Sequence, residues 1–259
     1  FAARTGFQIE PTTEAAIRLQ SRYLGLISRE RIGGEMMTML GFAGERDVSA
    51  RAGRLRALSL IQHLHLDSAT LSEDHHDAEL TVCAGLSELA GRAGELAGWI
   101  IDRHLRGEGE GALILFFEQE AGRVIDKWRD ALNLSNDLRD ELRAIFRRLR
   151  GMMDWGDLPI ARRKRLLAAE AWGEALRVAE AIPHDPMPRL VRQVIRQSQP
   201  LIAEGIAPPA LLDGEDVLAL GLPPGPRVGE LLEQAYDEQL EGRLLDREAA
   251  LRWLAAKRE

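Results

Sequence analysis

Two places in the sequence hold residues suited to chemistry. The segment Glu73-Asp74-His75-His76-Asp77, with His63 and His65 upstream and His104 downstream, offers imidazoles and carboxylates. Groups of that kind converge on divalent metals. The second place is basic. From Arg123 to Arg165 the chain carries twelve basic residues against seven acids, a local balance of +5 in a chain of net charge −7. Within it, Arg139, Arg143, Arg147 and Arg150 are spaced by four, four and three. A helix puts residues at that spacing on one face. Such a face either tracks a phosphate backbone or is a solvated surface with ion pairs to Asp140 and Glu141. Arg162, Arg163 and Lys164 add three further cations. Trp128, Phe146 and Trp155 lie close by in sequence and suit either base stacking or a core.

Covalent catalysis has little to work with. No Gly-x-Ser-x-Gly elbow occurs. No strand-borne pair of aspartates of the kind that holds two metals is present either. The glycine-rich stretch at residues 107–111 lacks the Lys-Ser/Thr that follows in a phosphate loop. Cys83 is the only cysteine, which excludes an intrachain disulfide and a cysteine-pair zinc site. Its neighbours Leu80, Val82 and Leu86 predict a buried thiol. The candidate catalytic and metal sets are therefore empty, apart from the His75–Asp77 region. Adjacent His and Asp there resemble an HD phosphohydrolase motif, but the segment reads as a solvated loop.

The elements that position these residues are helical. Apolar residues recur at helical spacing almost throughout, and strand alternation is nearly absent. Leu, Ala, Arg and Glu dominate, and they lose little rotamer freedom in helices. Pro11 opens a first helix, and Ser28 caps a second that begins SRERI. Further helices are expected over 46–66, 78–105, 112–131, 136–152 with Ser135 as cap, 160–181 and 189–204. Asp213 and Asp246 cap two more near the C-terminus. The run Pro223-Pro224-Gly225-Pro226 is expected to exclude helix, and residues 67–77 and the prolines 183, 186 and 188 read as connectors. The fold expectation is all-α.

Bulk properties narrow the class. With 259 residues, 45% hydrophobic and 29% charged, the chain is long enough for one large domain or several helical modules. No apolar run reaches the roughly 20 residues needed to cross a bilayer, and no signal-peptide pattern occurs. A cytoplasmic location without membrane association is expected. The chain opens on Phe1-Ala-Ala-Arg, which reads as the interior of a helix. It is expected to continue from an upstream segment.

Three stretches resemble the class II tRNA nucleotidyltransferase (CCA-adding enzyme) and bacterial poly(A) polymerase family. The first runs from Phe1-Ala-Ala-Arg-Thr-Gly-Phe7 through Pro11 to Ser28-Arg29-Glu30-Arg31-Ile32 and Glu35. The second is Trp128-Arg129 with Leu132-Asn133-Leu134-Ser135-Asn136-Asp137. The third combines Leu212-Asp213-Gly214-Glu215-Asp216, Leu220 to Pro226, Val228 to Leu232 and Glu248 to Leu254.

The resemblance implies neck, body and tail modules: neck-like helices at 1–42, a helical body at 43–204 and a helical tail at 205–259. It implies a parent that adds nucleotides to RNA 3′ ends without a template, using Mg²⁺ and ATP or CTP. An upstream head domain would hold the catalytic carboxylates, so this fragment alone is expected to be inactive and to bind no cofactor. Ser28, Arg29, Glu30 and Arg31 would support the nucleotide pocket. The partner would be tRNA or another RNA 3′ end, held by Arg139, Arg143, Arg147, Arg150, Arg162, Arg163 and Lys164. Two other readings stand beside it: a free-standing helical RNA-binding adaptor, and an HD-like metal phosphohydrolase. The Gly33-Gly34 pair departs from a usual neck helix, because each interior glycine weakens a helix by about 1 kcal/mol.

Overall fold

A computed structural model describes residues 7–40, 81–86, 90–104, 110–219, 221 and 223–257. Among them the secondary structure is helical, and no strand occurs. Helix α1 spans Pro11–Gln20 and passes into a 3₁₀ turn, Ser21–Leu26. Helix α2 is Arg29–Leu40, α3 Thr81–Gly85 and α4 Arg92–His104. Helix α5, Glu110–Leu115, runs through a π-helical turn at Phe116–Glu120 into α6, Ala121–Leu132. Then come α7 Asn136–Met153, α8 Ile160–Leu167, α9 Trp172–Ala181 and α10 Met187–Glu204. The last three are α11 Gly214–Ala219, α12 Pro226–Leu240 and α13 Arg247–Ala255.

Four helix starts follow from local side chains. Glu10 accepts from the Thr12 and Thr13 amides at the head of α1. Those bonds, the Thr12 hydroxyl first among them, hold its carboxyl down at about 2. Ser135 Oγ accepts from the Leu138 amide, 3.2 Å away. Asp213 accepts from Glu215 and Asp216, and Asp246 from Ala249. The caps at Ser135, Asp213 and Asp246 are the ones read from sequence. Ser28 occupies the cap position of α2, where its carbonyl accepts from Arg31 and Ile32.

The chain forms two compact units. The first comprises Phe1–Met153 and Ala171–Val191. Its core includes Trp99 and Trp128, edge to face at 4.7 Å between ring centres, and a cluster of Phe116, Phe117 and Phe146. Leu142, Ile145 and Leu149 of α7 are buried with them. Cys83 is buried as expected, and its thiol is pushed up by desolvation and by nearby Asp102. Asp102 is itself buried, and both carboxylate oxygens accept backbone amides at the start of α3, from Val82 at 2.8 Å and Cys83 at 2.9 Å.

The second unit comprises Asp154–Glu170 and Arg192–Glu259. Leu212, Val217, Leu231, Ala235, Leu244, Ala250 and Leu254 form one of its cores.

Two expectations are corrected. The single helix over 160–181 is two helices, broken at 168–171. Ala161, Leu166 and Leu167 of α8 are buried in one unit; Ala175, Val178 and Ala179 of α9 are buried in the other. Membership of two cores, not a breaker residue, ends α8. The proline run does not exclude helix to its end either: Pro226 is the first residue of α12. The missing N–H of a first-turn proline costs nothing, because that donor has no helical partner.

Candidate functional site

The site grows from a close crossing of α2 over the C-terminal end of α6. Gly33 is buried there. A Cβ on it would lie 1.8 Å from the Leu132 carbonyl oxygen and 2.8 Å from the Leu132 carbonyl carbon. Glycine is thus required by backbone-to-backbone approach. Gly34, next to it, has nothing within 4 Å of its Cβ position. The glycine pair that looked like a weak point in the helix is half contact surface.

Just past Leu132 the chain reverses. Asn133 takes the left-handed conformation, φ 47°, with its amide donating back to the Arg129 carbonyl. Asparagine tolerates that region better than most residues. The crossing and the reversal together set Ser28, Arg29 and Glu30 opposite Arg129, Asp130 and Asn133. These six line an open cleft of about 480 Å³.

The cleft is polar and almost charge-balanced. Arg29 Nη1 reaches the Asp130 carbonyl at 3.4 Å. Arg129 donates to Asp130 Oδ1 at 2.8 Å and to Asn136 Oδ1 at 3.3 Å, while its Nε is buried without a partner. Glu30, Asp130 and Asn133 are exposed. Forked guanidinium donors beside amide and carboxylate acceptors suit recognition of an anionic, hydrogen-bonding ligand. Arg31 is exposed and does not line the cleft. Spacing alone does not mark Asp130 and Asn133 as site residues, although Leu132-Asn133-Leu134-Ser135-Asn136 lies in a stretch that resembles the family.

The arginine row of α7 is differently placed. Arg143 Nη2 bonds both oxygens of Asp126, at 2.7 and 2.9 Å. Arg150 bonds Glu118 at 2.9 Å, and Arg139 bonds Asp140. Two of these three partners therefore come from α6 and the π-helical turn, not from the same helix. Arg147 is exposed and has no carboxylate partner among the described residues. In the second unit Arg163 is half-buried and Arg162 exposed. Lys164 is buried with its ammonium 3.3 Å from Glu204, so it presents no cation to solvent.

Trp128, Phe146 and Trp155 are all buried and serve as core. The cluster at residues 63–77 lies outside the described residues. His104 is largely buried and bonded through Nδ1 to the Ile100 carbonyl; burial pulls its pKa down. Among the described residues no three His, Cys, Asp or Glu side chains converge as a metal site. No described helix is long and apolar enough to cross a membrane.

Comparison with known proteins adds two likenesses. Residues 6–44 match a family model described as the probable RNA and SrmB-binding site of polymerase A. That match contains α1, α2 and one wall of the cleft. A solved structure, "The complex structure of CCA-adding enzyme with ATP", superposes with a TM-score of 0.52 at 18% identity, over 99% of this chain and 57% of that one. The chain thus spans little more than half of that enzyme's length, and at this identity the likeness is one of fold. Comparison with curated protein sequences found no significant match. In its helical architecture and in residues 6–44, the chain resembles the helical portion of the CCA-adding enzyme and poly(A) polymerase family.

Proposed function

We propose that this chain is the RNA-holding portion of a template-independent RNA 3′-end nucleotidyltransferase. A separate head domain supplies the two Mg²⁺-binding carboxylates and takes CTP or ATP. The substrate is tRNA or another RNA with a free 3′ end. The observation that carries this reading is the position of Ser28-Arg29-Glu30. It lies inside the segment that matches an RNA-binding family model, and it forms one wall of the polar cleft. The opposite wall is Arg129, Asp130 and Asn133; Arg129 and Asn133 belong to the second stretch that resembles the family.

In this reading Arg29 and Arg129 hold phosphate or base edges. Gly33 fixes the distance between the two walls. Arg147 is the one member of the α7 row free to meet phosphate; Arg139, Arg143 and Arg150 chiefly hold helices and neighbouring side chains in place.

The test is direct. Fluorescence anisotropy with a labelled tRNA lacking its 3′ CCA should show binding by the 259-residue chain that weakens steeply with salt. Arg29→Ala should weaken it, and helical content should stay unchanged. The same chain given labelled CTP, ATP and Mg²⁺ should leave the tRNA unextended. Absence of RNA binding at low salt would reject the reading. Nucleotide addition by the chain alone would reject the assignment of catalysis to a separate head.

A further inference from the structure

A second basic surface lies in the unit formed by Asp154–Glu170 and Arg192–Glu259. It is built from other residues than the α7 row and lies outside the segment matched by the RNA-binding family model. Two stretches without acidic residues build it. Residues 158–169 hold Arg162, Arg163, Lys164 and Arg165; residues 186–203 hold Arg189, Arg192 and Arg196.

The structure sorts these cations. Lys164 is buried against Glu204. Arg165 is bound by Glu233 and Asp237, each at 2.7 Å, and lies over the Tyr236 ring. Arg189 belongs to the other unit and pairs with Asp185. Arg162, Arg192 and Arg196 are exposed, and none has a carboxylate partner among the described residues. Arg163 is spent on no acid either: Nη2 donates to the Gly156 carbonyl at 2.9 Å, and the guanidinium stands 5.6 Å from the centre of Trp155.

The Trp155-Gly156 turn joins the two stretches. Trp155 Nε1 donates to Gln197 Oε1 at 2.9 Å. A methyl group on Gly156 would lie 3.6 Å from Gln193 Nε2. Gln193 and Gln197 directly follow Arg192 and Arg196 on α10. The turn is thus tied to both stretches: Arg163 bonds it directly, and Gln193 and Gln197, next in sequence to Arg192 and Arg196, lie against it. The acids of the turn itself are Asp154 and the exposed Asp157, fewer than the guanidiniums of Arg162, Arg163, Arg192 and Arg196 that the two stretches carry.

Arg192 and Arg196 are four residues, just over one helical turn, apart, about 6 Å along the axis. That is comparable to the separation of neighbouring phosphates on one strand. Exposed guanidiniums with no intramolecular acid add little to folding. Their planar, forked donors fit phosphate oxygens two at a time. In a chain of net charge −7 such a patch also concentrates attraction for a polyanion at one place.

We propose that Arg163, Arg192 and Arg196, with Arg162, bind the phosphate backbone of the RNA whose 3′ end this chain holds. The inference rests on the RNA reading of the cleft and adds a contact remote from it in sequence.

The experiment compares the full chain with Arg192→Gln/Arg196→Gln, using the same tRNA and a salt series. Two lost phosphate contacts should flatten the slope of log K against log salt by roughly 1 to 2. Affinity at low salt should fall at least about fivefold. Arg192→Lys/Arg196→Lys keeps both charges and should retain most of the slope. Arg143→Gln, whose guanidinium is already held by Asp126, should leave the slope unchanged. An unchanged slope in Arg192→Gln/Arg196→Gln, with wild-type binding intact, overturns this surface and leaves the cleft reading standing. If the wild-type chain binds no RNA, both fall. Should the glutamine variant lose helical content, the lysine variant decides: a slope lost there as well, with the fold intact, also overturns the proposal.

Discussion

Replacing Gly33 with alanine tests the crossing on which the cleft depends. The added methyl would lie 1.8 Å from the Leu132 oxygen and 2.8 Å from its carbonyl carbon. Both are backbone atoms, so no rotamer change can relieve the overlap. α2 must move away from α6 by more than an ångström. Met36 and Leu40, three and seven residues on and only 1% exposed, would lose packing as it moved. Overpacking costs about 1–3 kcal/mol, and partial loss of buried side-chain contacts adds to it. Alanine returns about 1 kcal/mol through helix propensity. The net expectation is a loss of roughly 2–4 kcal/mol. Gly34→Ala is the control. Its methyl meets nothing within 4 Å, so the same chemical change one residue on should stabilise by about 0.5–1 kcal/mol. Urea denaturation followed by helical circular dichroism should show the two midpoints moving in opposite directions. Tighter RNA binding or unchanged RNA binding in Gly33→Ala would contradict the geometry, because Arg29 rides on the displaced helix. Equal stability of the two variants would refute the argument outright.

Gly94→Ala places a methyl 2.0 Å from Glu174 Oε1. It should expel a carboxylate that accepts from the Gly91 amide at 2.6 Å and also binds Arg177, with a loss of about 2–3 kcal/mol in thermal or urea denaturation. For Asp102, burial raises the carboxyl pKa above its ordinary 3.8, against the Cys83 and Val82 amide bonds that lower it. A raised folded-state value means the native state holds the proton longer. The associated stability is fully present below the ordinary value and is lost as pH rises through the raised one. Asp102→Asn should therefore remove a component of stability that declines with rising pH over that window. It should also cost about 1–2 kcal/mol at neutral pH, because one amide N–H then faces an amide NH₂. Parallel stability–pH curves for wild type and variant would refute the assignment.

Helix positions and caps were legible because they depend on neighbours in sequence. Ser135, Asp213 and Asp246 each bond an amide two or three residues on, and that reach is visible in a string of letters. The break at 168–171 was not legible. Ala168-Ala169-Glu170-Ala171 contains no breaker, and the helix ends because its two halves belong to different units. Gly33 was misread for a related reason. Its value lies in a carbonyl 99 positions away, while its cost in helix propensity is local. The Ser28–Glu30 wall was visible through its resemblance. The facing wall depends on a left-handed Asn133, whose conformation no spacing rule announces.

The arginines carry the same distinction into function. Spacing of four, four and three correctly placed a row on α7, but spacing fixes only which residues share a helix. Whether a guanidinium is available is decided by what faces it. For Arg143 and Arg150 the facing acids are Asp126 and Glu118, 17 and 32 residues earlier. Local charge density therefore selected a stretch whose cations are partly consumed by the fold. Arg192 and Arg196 sit in a quieter stretch with no acid from residue 186 to 203, and they emerge from folding with their charge intact. An arginine-rich stretch that also holds seven acids has, within itself, the means to neutralise its own cations.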